Sequence, residues 1–238
     1  ALTGAISAQT NVDCFGSNSG AVTVAGAGGA APYQYSLNGG AYQASGTFGT
    51  LIAGTYTVTV RDANSCTFDV PVTITQPATA LTGSITSQTN LTCSGGSDGA
   101  VTVAAVGGTA PYTYNIDGGA YGPTPTFTSL ISGSHTVGIL DANGCSTTVP
   151  VTLTAPPAIN ITSETVVNVT GCFGNTNGSI TIVASGGTGA LSYSIDGGTT
   201  YKATGSFTNL AAGTYQVMVK DANNCQQTGS LLTVTQPA

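Results

Sequence analysis

Six cysteines set the frame of this chain. Cys14, Cys93 and Cys172 recur every 79 residues, and Cys66, Cys145 and Cys225 recur after 79 and then 80. Three such periods fill nearly all of the 238 residues. Other words return in the same register. Pro32-Tyr33-Gln34-Tyr35 matches Pro111-Tyr112-Thr113-Tyr114, with Leu191-Ser192-Tyr193 in the third copy. Asp62-Ala63-Asn64-Ser65-Cys66 returns as residues 141–145 and 221–225, and each copy closes near a proline, Pro77, Pro156 or Pro237. A fixed period of this kind means tandem homologous units. The copies divide as residues 1–78, 79–157 and 158–238, with small insertions in the third at Thr199-Thr200 and near Gln227-Thr228.

Within a copy the periodicity is two, never 3.6. In Ala21-Val22-Thr23-Val24 the valines point one way and Thr23 the other, and Tyr56, Val58 and Val60 share a face opposite Thr55, Thr57 and Thr59. Turn residues fall every 8 to 12 positions, and Asn38-Gly39 with its Asp-Gly counterparts suits a type I′ hairpin. About seven short strands per copy predict an all-β protein of three tandem immunoglobulin-like β-sandwich domains. Strands of that length imply an elongated rod of about 110–120 Å if the linkers are straight. Leu51-x-x-Gly54-x-Tyr56, Leu130-x-x-Gly133-x-His135 and Leu210-x-x-Gly213-x-Tyr215 resemble the tyrosine corner of such sandwiches, with His135 in the tyrosine slot of the second copy.

Composition narrows the function. Only 5% of residues are charged, and three basic residues against nine acidic leave a net charge of −6, so nucleic acid is excluded as a partner. At 40% apolar residues the chain folds rather than staying disordered. No apolar run is long enough for membrane insertion. The chain opens on Ala1 without a leader, as a processed or excerpted piece of something longer would.

No catalytic constellation emerges. A Ser-His-Asp arrangement needs a histidine, and His135 is the only one. Gly26-x-Gly28-x-x-Ala31 leads into Pro32 and a strand, so it lacks the helix a phosphate cradle requires. The expectation is a protein that is not an enzyme and carries no cofactor. Calcium is the one metal left open. Asp62 with Asn64, Asp141 with Asn143, and Asp221 with Asn223 can each offer two oxygens, well short of the six to eight that calcium takes, and a hairpin turn is the competing reading. Tyr42, Tyr121 and Tyr201 recur beside the hairpin, either packed or stacking on sugar rings.

The ordered set of words, from Cys-Phe/Ser-Gly through Gly-Gly-x-x-Pro-Tyr-x-Tyr and Leu-x-x-Gly-x-Tyr to Asp-Ala-Asn-x-Cys and a terminal Gln-Pro, resembles the SprB-type repeat of very large cell-surface proteins in gliding and surface-colonising Bacteroidota. The third copy departs by reading Gly189-Ala190-Leu191-Ser192-Tyr193. The resemblance implies export to the cell surface by the type IX route and a part in adhesion or gliding motility, without a ligand. The expectation is a stalk or spacer in a secreted adhesin, presenting a tip elsewhere and resisting extracellular proteases, which find only Arg61, Lys202 and Lys220 for trypsin-like cleavage. Its partners would be flanking repeats. A subunit of a self-assembling filament and a module binding surface glycans are the alternatives.

Cysteines outside the cell should be oxidised. Pairing within copies, Cys14–Cys66, Cys93–Cys145 and Cys172–Cys225, is the simplest connectivity, and each bond could add roughly 4 kcal/mol. If the two loops lie at opposite poles of the sandwich they are about 25 Å apart, farther than a disulfide spans, yet pairing within copies stays the first expectation. Head-to-tail stacking would instead join Cys14 to Cys145 and Cys93 to Cys225, leaving Cys66 and Cys172 for flanking repeats. Unpaired thiols are the third possibility.

Overall fold

A computed structural model describes residues 1–238, with no helix anywhere. The first copy contains β1 (Thr3–Thr10), β2 (Gly20–Ala27), β3 (Gln34–Leu37), β4 (Thr47–Leu51), β5 (Gly54–Arg61) and β6 (Thr67–Ile74). The second contains β7 (Thr82–Thr89), β8 (Gly99–Val106), β9 (Thr113–Ile116), β10 (Thr126–Leu130), β11 (Gly133–Leu140) and β12 (Ser146–Leu153). The third contains β13 (Asn160–Val167), β14 (Gly178–Ser185), β15 (Ser192–Ser194), β16 (Ser206–Leu210), β17 (Gly213–Lys220) and β18 (Gln226–Val234).

Each copy makes two three-stranded sheets, β1-β2-β4 and β3-β5-β6 in the first, with the same orders in the others. The pairing is antiparallel throughout β1-β2-β4 and β3-β5-β6. This is the A-B-E against C-F-G arrangement of an immunoglobulin-like sandwich. The alternation read from the sequence fills its core. Val22 and Val24 from one sheet meet Val58, Val60, Val72 and Ile74 from the other, all essentially inaccessible. The third copy repeats this with Ile180, Ile182, Val217, Val219 and Val234.

The strand count is six rather than about seven. The missing strand is a single bridge, Tyr35 to Gln43, made by two reciprocal backbone bonds of 2.8 and 2.9 Å. It cannot lengthen. The Asn38-Gly39 turn precedes it, and after it Gly46 lies so close to the Val24 carbonyl that a Cβ would sit 2.0 Å from that oxygen. Asn38 and Gly39 both have positive φ, 48° and 75°, as the expected type I′ turn requires, and Asp117 and Gly118 repeat it.

The chain forms two compact units. One comprises residues 1–86, 102–125 and 136–151, and the other residues 87–101, 126–135 and 152–238. The division runs through the second copy, whose buried residues include Val103, Val137, Ile139 and Val149 in the first unit and Leu91, Val101 and Leu153 in the second.

Candidate functional site, a disulfide-bonded junction between repeats

The β5–β6 loop is organised by one carboxylate. Asp62 Oδ1 accepts the backbone N–H groups of Asn64 and Cys66, both at 2.9 Å, and Oδ2 accepts that of Ala30 at 3.1 Å. Asp141 takes the N–H groups of Asn143, Cys145 and Thr109 in the same way, and Asp221 those of Asn223, Cys225 and Thr188. All three aspartates are buried. The Ala30 N–H, chief among these donors, holds the Asp62 carboxyl below its ordinary range. A carboxylate in this position ties the loop closed and leaves the asparagine and cysteine facing outward.

That arrangement does not fit calcium at Asp62/Asn64, Asp141/Asn143 or Asp221/Asn223. Both aspartate oxygens already accept backbone hydrogens. The amides of Asn143 and Asn223 meet backbone carbonyls with their N–H groups, which a cation would repel. No group of three or more His, Cys, Asp or Glu residues converges elsewhere.

The complementary element is the loop between β1 and β2. Its base is fixed to the end of β6 by Val12 N–H donating to Thr75 O at 2.8 Å, and its tip by Gly16 N–H donating to Gln76 Oε1 at 2.8 Å. The terminal Gln-Pro word therefore shapes this loop, and Gln236 does the same for Gly174 at 3.1 Å. Cys14, Cys93 and Cys172 lie on the three copies of the loop.

Two disulfides join these elements between successive copies. Inside the first unit Cys14 is bonded to Cys145, with Cα atoms 5.7 Å apart. Inside the second, Cys93 is bonded to Cys225, with Cα atoms 5.5 Å apart. An amide bond accompanies each: Asn143 Nδ2 donates to Asp13 O at 3.0 Å, and Asn223 Nδ2 to Thr92 O at 3.2 Å. The within-copy pairing Cys14–Cys66, Cys93–Cys145 and Cys172–Cys225 is thereby corrected. The start of β2 packs on the end of β6, where Gly20 meets Ile74, while its far end packs on β5, where Gly26 meets Val60. Residues 11–19 and 62–66 thus leave opposite ends of one sandwich, about 25 Å apart for eight-residue strands. Cys66 and Cys172 are exposed and have no disulfide partner within these 238 residues.

The corner residues and two of the three hairpin tyrosines have structural partners. Tyr56 donates its hydroxyl to Ile52 O at 2.9 Å and Tyr215 to Ala211 O at 2.9 Å, while His135 Nε2 stands 3.0 Å from Ile131 O. The corner geometry is the same with an imidazole in place of a phenol. Tyr42 carries the Arg61 guanidinium 3.7 Å from its ring centroid, and Tyr201 carries the Lys220 ammonium at 4.4 Å. Tyr121 stays exposed.

No curated protein sequence matches the chain. Among solved structures it is similar to the three N-terminal domains of the bacteriophage RB49 highly immunogenic outer capsid protein, at 14% identity over all of both chains and a TM-score of 0.40. It is similar also to the eight N-terminal Ig domains of Down syndrome cell adhesion molecule isoform 1.30.30, at 13% identity over 99% of this chain and 36% of that one, with a TM-score of 0.40. A C-terminal fragment of intimin, in complex with the intimin-binding domain of its translocated receptor, is 16% identical over 66% of this chain and 67% of its own, with a TM-score of 0.37. The SprB repeat model matches residues 6–42, 82–121 and 163–200, one stretch in each of the three copies, in agreement with the SprB-type resemblance read from the sequence.

Proposed function

We propose that this array is a load-bearing stalk segment of a long secreted cell-surface adhesin, folded as one sandwich per repeat over residues 1–78, 79–157 and 158–238, and that it catalyses no reaction. The observation that carries the reading is the pairing of Cys14 with Cys145 and of Cys93 with Cys225. The two loops they close overlap between residues 93 and 145, so tension entering at one end crosses both bonds. The covalent path then includes only residues 93–145 and the two short termini.

Pulling the oxidised chain by its ends tests this. Its extension should stop near 270 Å, roughly a third of the 830 Å or so that the reduced chain reaches at about 3.5 Å per residue. Extension of the oxidised chain to the full reduced length would remove the load-bearing argument. The location is checked separately, by labelling the parent protein on cells with antibody to this array. Label along the shaft agrees with a stalk, and label confined to the outermost tip contradicts it.

A further inference from the structure

β6, β12 and β18 are edge strands, each paired on one side only. An edge offers unpaired N–H and C=O groups to any extended chain, and proteins blunt it with proline or with covering side chains. The first two repeats do both. Pro71 pairs with Thr57 and can do so only with its hydrogen-less nitrogen turned outward, and Pro150 holds the same place in the second repeat. Two residues on, Gln9 Nε2 caps Thr73 O at 2.8 Å and Gln88 Nε2 caps Thr152 O at 2.7 Å. Pro71, Thr73 and Thr152 remain exposed although a further repeat follows each, so a following repeat does not cover this edge. The third repeat has neither device. Leu231 pairs with Gln216 in the register of Pro71 with Thr57, so its N–H points outward. Val167 stands one period after Gln88 and leaves Thr233 O uncapped. Leu231 and Val167 are 63% and 57% exposed, and β18 carries no charge.

Ahead of Leu231 the edge opens into a groove. Gly229-Ser230 replaces the single valine of the other copies, Val70 or Val149, and Ile161 on β13 takes the pairing place of Gly4 on β1. A Cβ on Gly4 would lie 2.8 Å from Val70 Cγ2, and one on Gly229 would lie 2.9 Å from Ile161 Cδ1, so the bulk has changed sheets. The exchange leaves a groove of about 370 Å³ lined by Ile159, Ile161, Glu164, Gln227, Thr228 and Ser230. Glu164 is the only glutamate of the chain. Its Oε1 accepts the Ser230 N–H at 3.0 Å, and its Oε2 has no partner.

We propose that this edge and its groove form a docking site for an extended basic peptide segment of another protein. The segment's backbone adds to β18 as a fourth strand of the β15-β17-β18 sheet, bonding the outward groups of Leu231 and Thr233. A lysine or arginine on its inner face enters the groove and meets Glu164 Oε2, and an apolar side chain on its outer face covers Leu231. Charge selects this occupant over a second copy of the chain. Self-pairing of β18 would bring no cation to Glu164, because no basic residue follows Lys220, whereas a net charge of −6 draws basic segments. The site stands on the third repeat alone, so it and the stalk reading fail separately.

The test is fluorescence anisotropy of a labelled Val-Thr-Val-Lys-Val-Thr-Val amide titrated with the full chain, beside a twin peptide with Glu at its centre. Saturable binding is expected, at least tenfold weaker for the twin and for Glu164→Gln. Leu231→Pro, which restores the residue of the other two copies, should abolish it. Val167→Gln, which restores the cap on Thr233 O, should weaken it several-fold, with an unchanged urea midpoint showing that the fold persists. No saturation below about 1 mM would overturn the inference. So would equal binding of the two peptides, or binding undiminished by either edge variant. A dimer of the chain alone, lost in Leu231→Pro, would assign the edge to a second copy and overturn it as well.

Discussion

Thr50 shows how a repeat exposes strain that one copy would hide. It sits at φ 56°, in the left-handed region, at the register shift between β2 and β4. Ser129 and Asn209 hold the same position at 59° and 62°. A β-branched residue is poorly suited to that region, where an L side chain costs roughly 1–2 kcal/mol and asparagine is tolerated best after glycine. Thr50 is exposed, and its hydroxyl bonds only the adjacent Gly49 carbonyl. Thr50→Asn should therefore raise stability by about 1 kcal/mol, measured as an upward shift of the urea midpoint. A midpoint that falls would mean the threonine makes up its backbone cost elsewhere. The aspartates give the chain its pH response. Asp62 is held below the ordinary 3.8 chiefly by the Ala30 N–H, Asp98 by the Thr92 hydroxyl, and Asp196 by the hydroxyls of Ser194 and Thr200. Their stabilisation is complete above the unfolded value and is lost as pH falls through the lower folded ones. Melting temperature should therefore hold down to about pH 4 and decline below it. A flat profile from pH 5 to pH 2.5 would contradict the assignment.

At the level of elements, the alternation of Val22 with Val24 and of Val58 with Val60 was enough to place strands and core, because a period of two has one physical reading when a face is buried. The hairpin turn was equally legible from Asn38-Gly39. Other features were not. The seventh strand is reduced to the single Tyr35–Gln43 bridge, after which Gly46 O accepts from Val24 N in the other sheet, a crossing that no local pattern encodes. Cysteine spacing carries order along the chain but not the end of the sandwich at which each loop emerges, and so the simplest pairing was the wrong one. The topological objection to it came from the tyrosine corner, which fixes β5 and hence the pole of the following loop. The Gly-Gly word after β8 is another silent signal. Gly107 has φ 78°, and a Cβ there would lie 2.0 Å from the carbonyl oxygen of Ala80 in the linker. Gly118 has a similar φ of 75° with nothing within 4 Å. Comparing the two alanine variants separates conformation from crowding. Gly118→Ala should cost about 1 kcal/mol and Gly107→Ala more than about 2, by urea unfolding. Equal costs would mean that the linker moves aside freely.

On the scale of the whole molecule, the two disulfides interlock in sequence. The Cys14–Cys145 loop and the Cys93–Cys225 loop share residues 93–145, so every peptide bond from 14 to 225 lies inside at least one closed loop. Pairing within repeats would have left both linkers outside any loop. The difference matters for resistance to proteolysis, since a linker is where a folded array is nicked first. Trypsin has little to attack. Arg61 and Lys220 lie in β5 and β17, each the central strand of its sheet, and Lys202 is tied to Tyr193 by two backbone bonds of 2.8 Å. Elastase, which cleaves after small apolar residues, can reach the linker around Ala78 and Ala80, both exposed. Limited elastase digestion should therefore leave a single band near 23.3 kDa on a non-reducing gel even after the linker is cut. Reducing the same sample should release fragments of about one and about two repeats. Fragments appearing before reduction, with cleavage mapped between residues 67 and 92, would show that the covalent continuity is absent and that the repeats are held together by the linker alone.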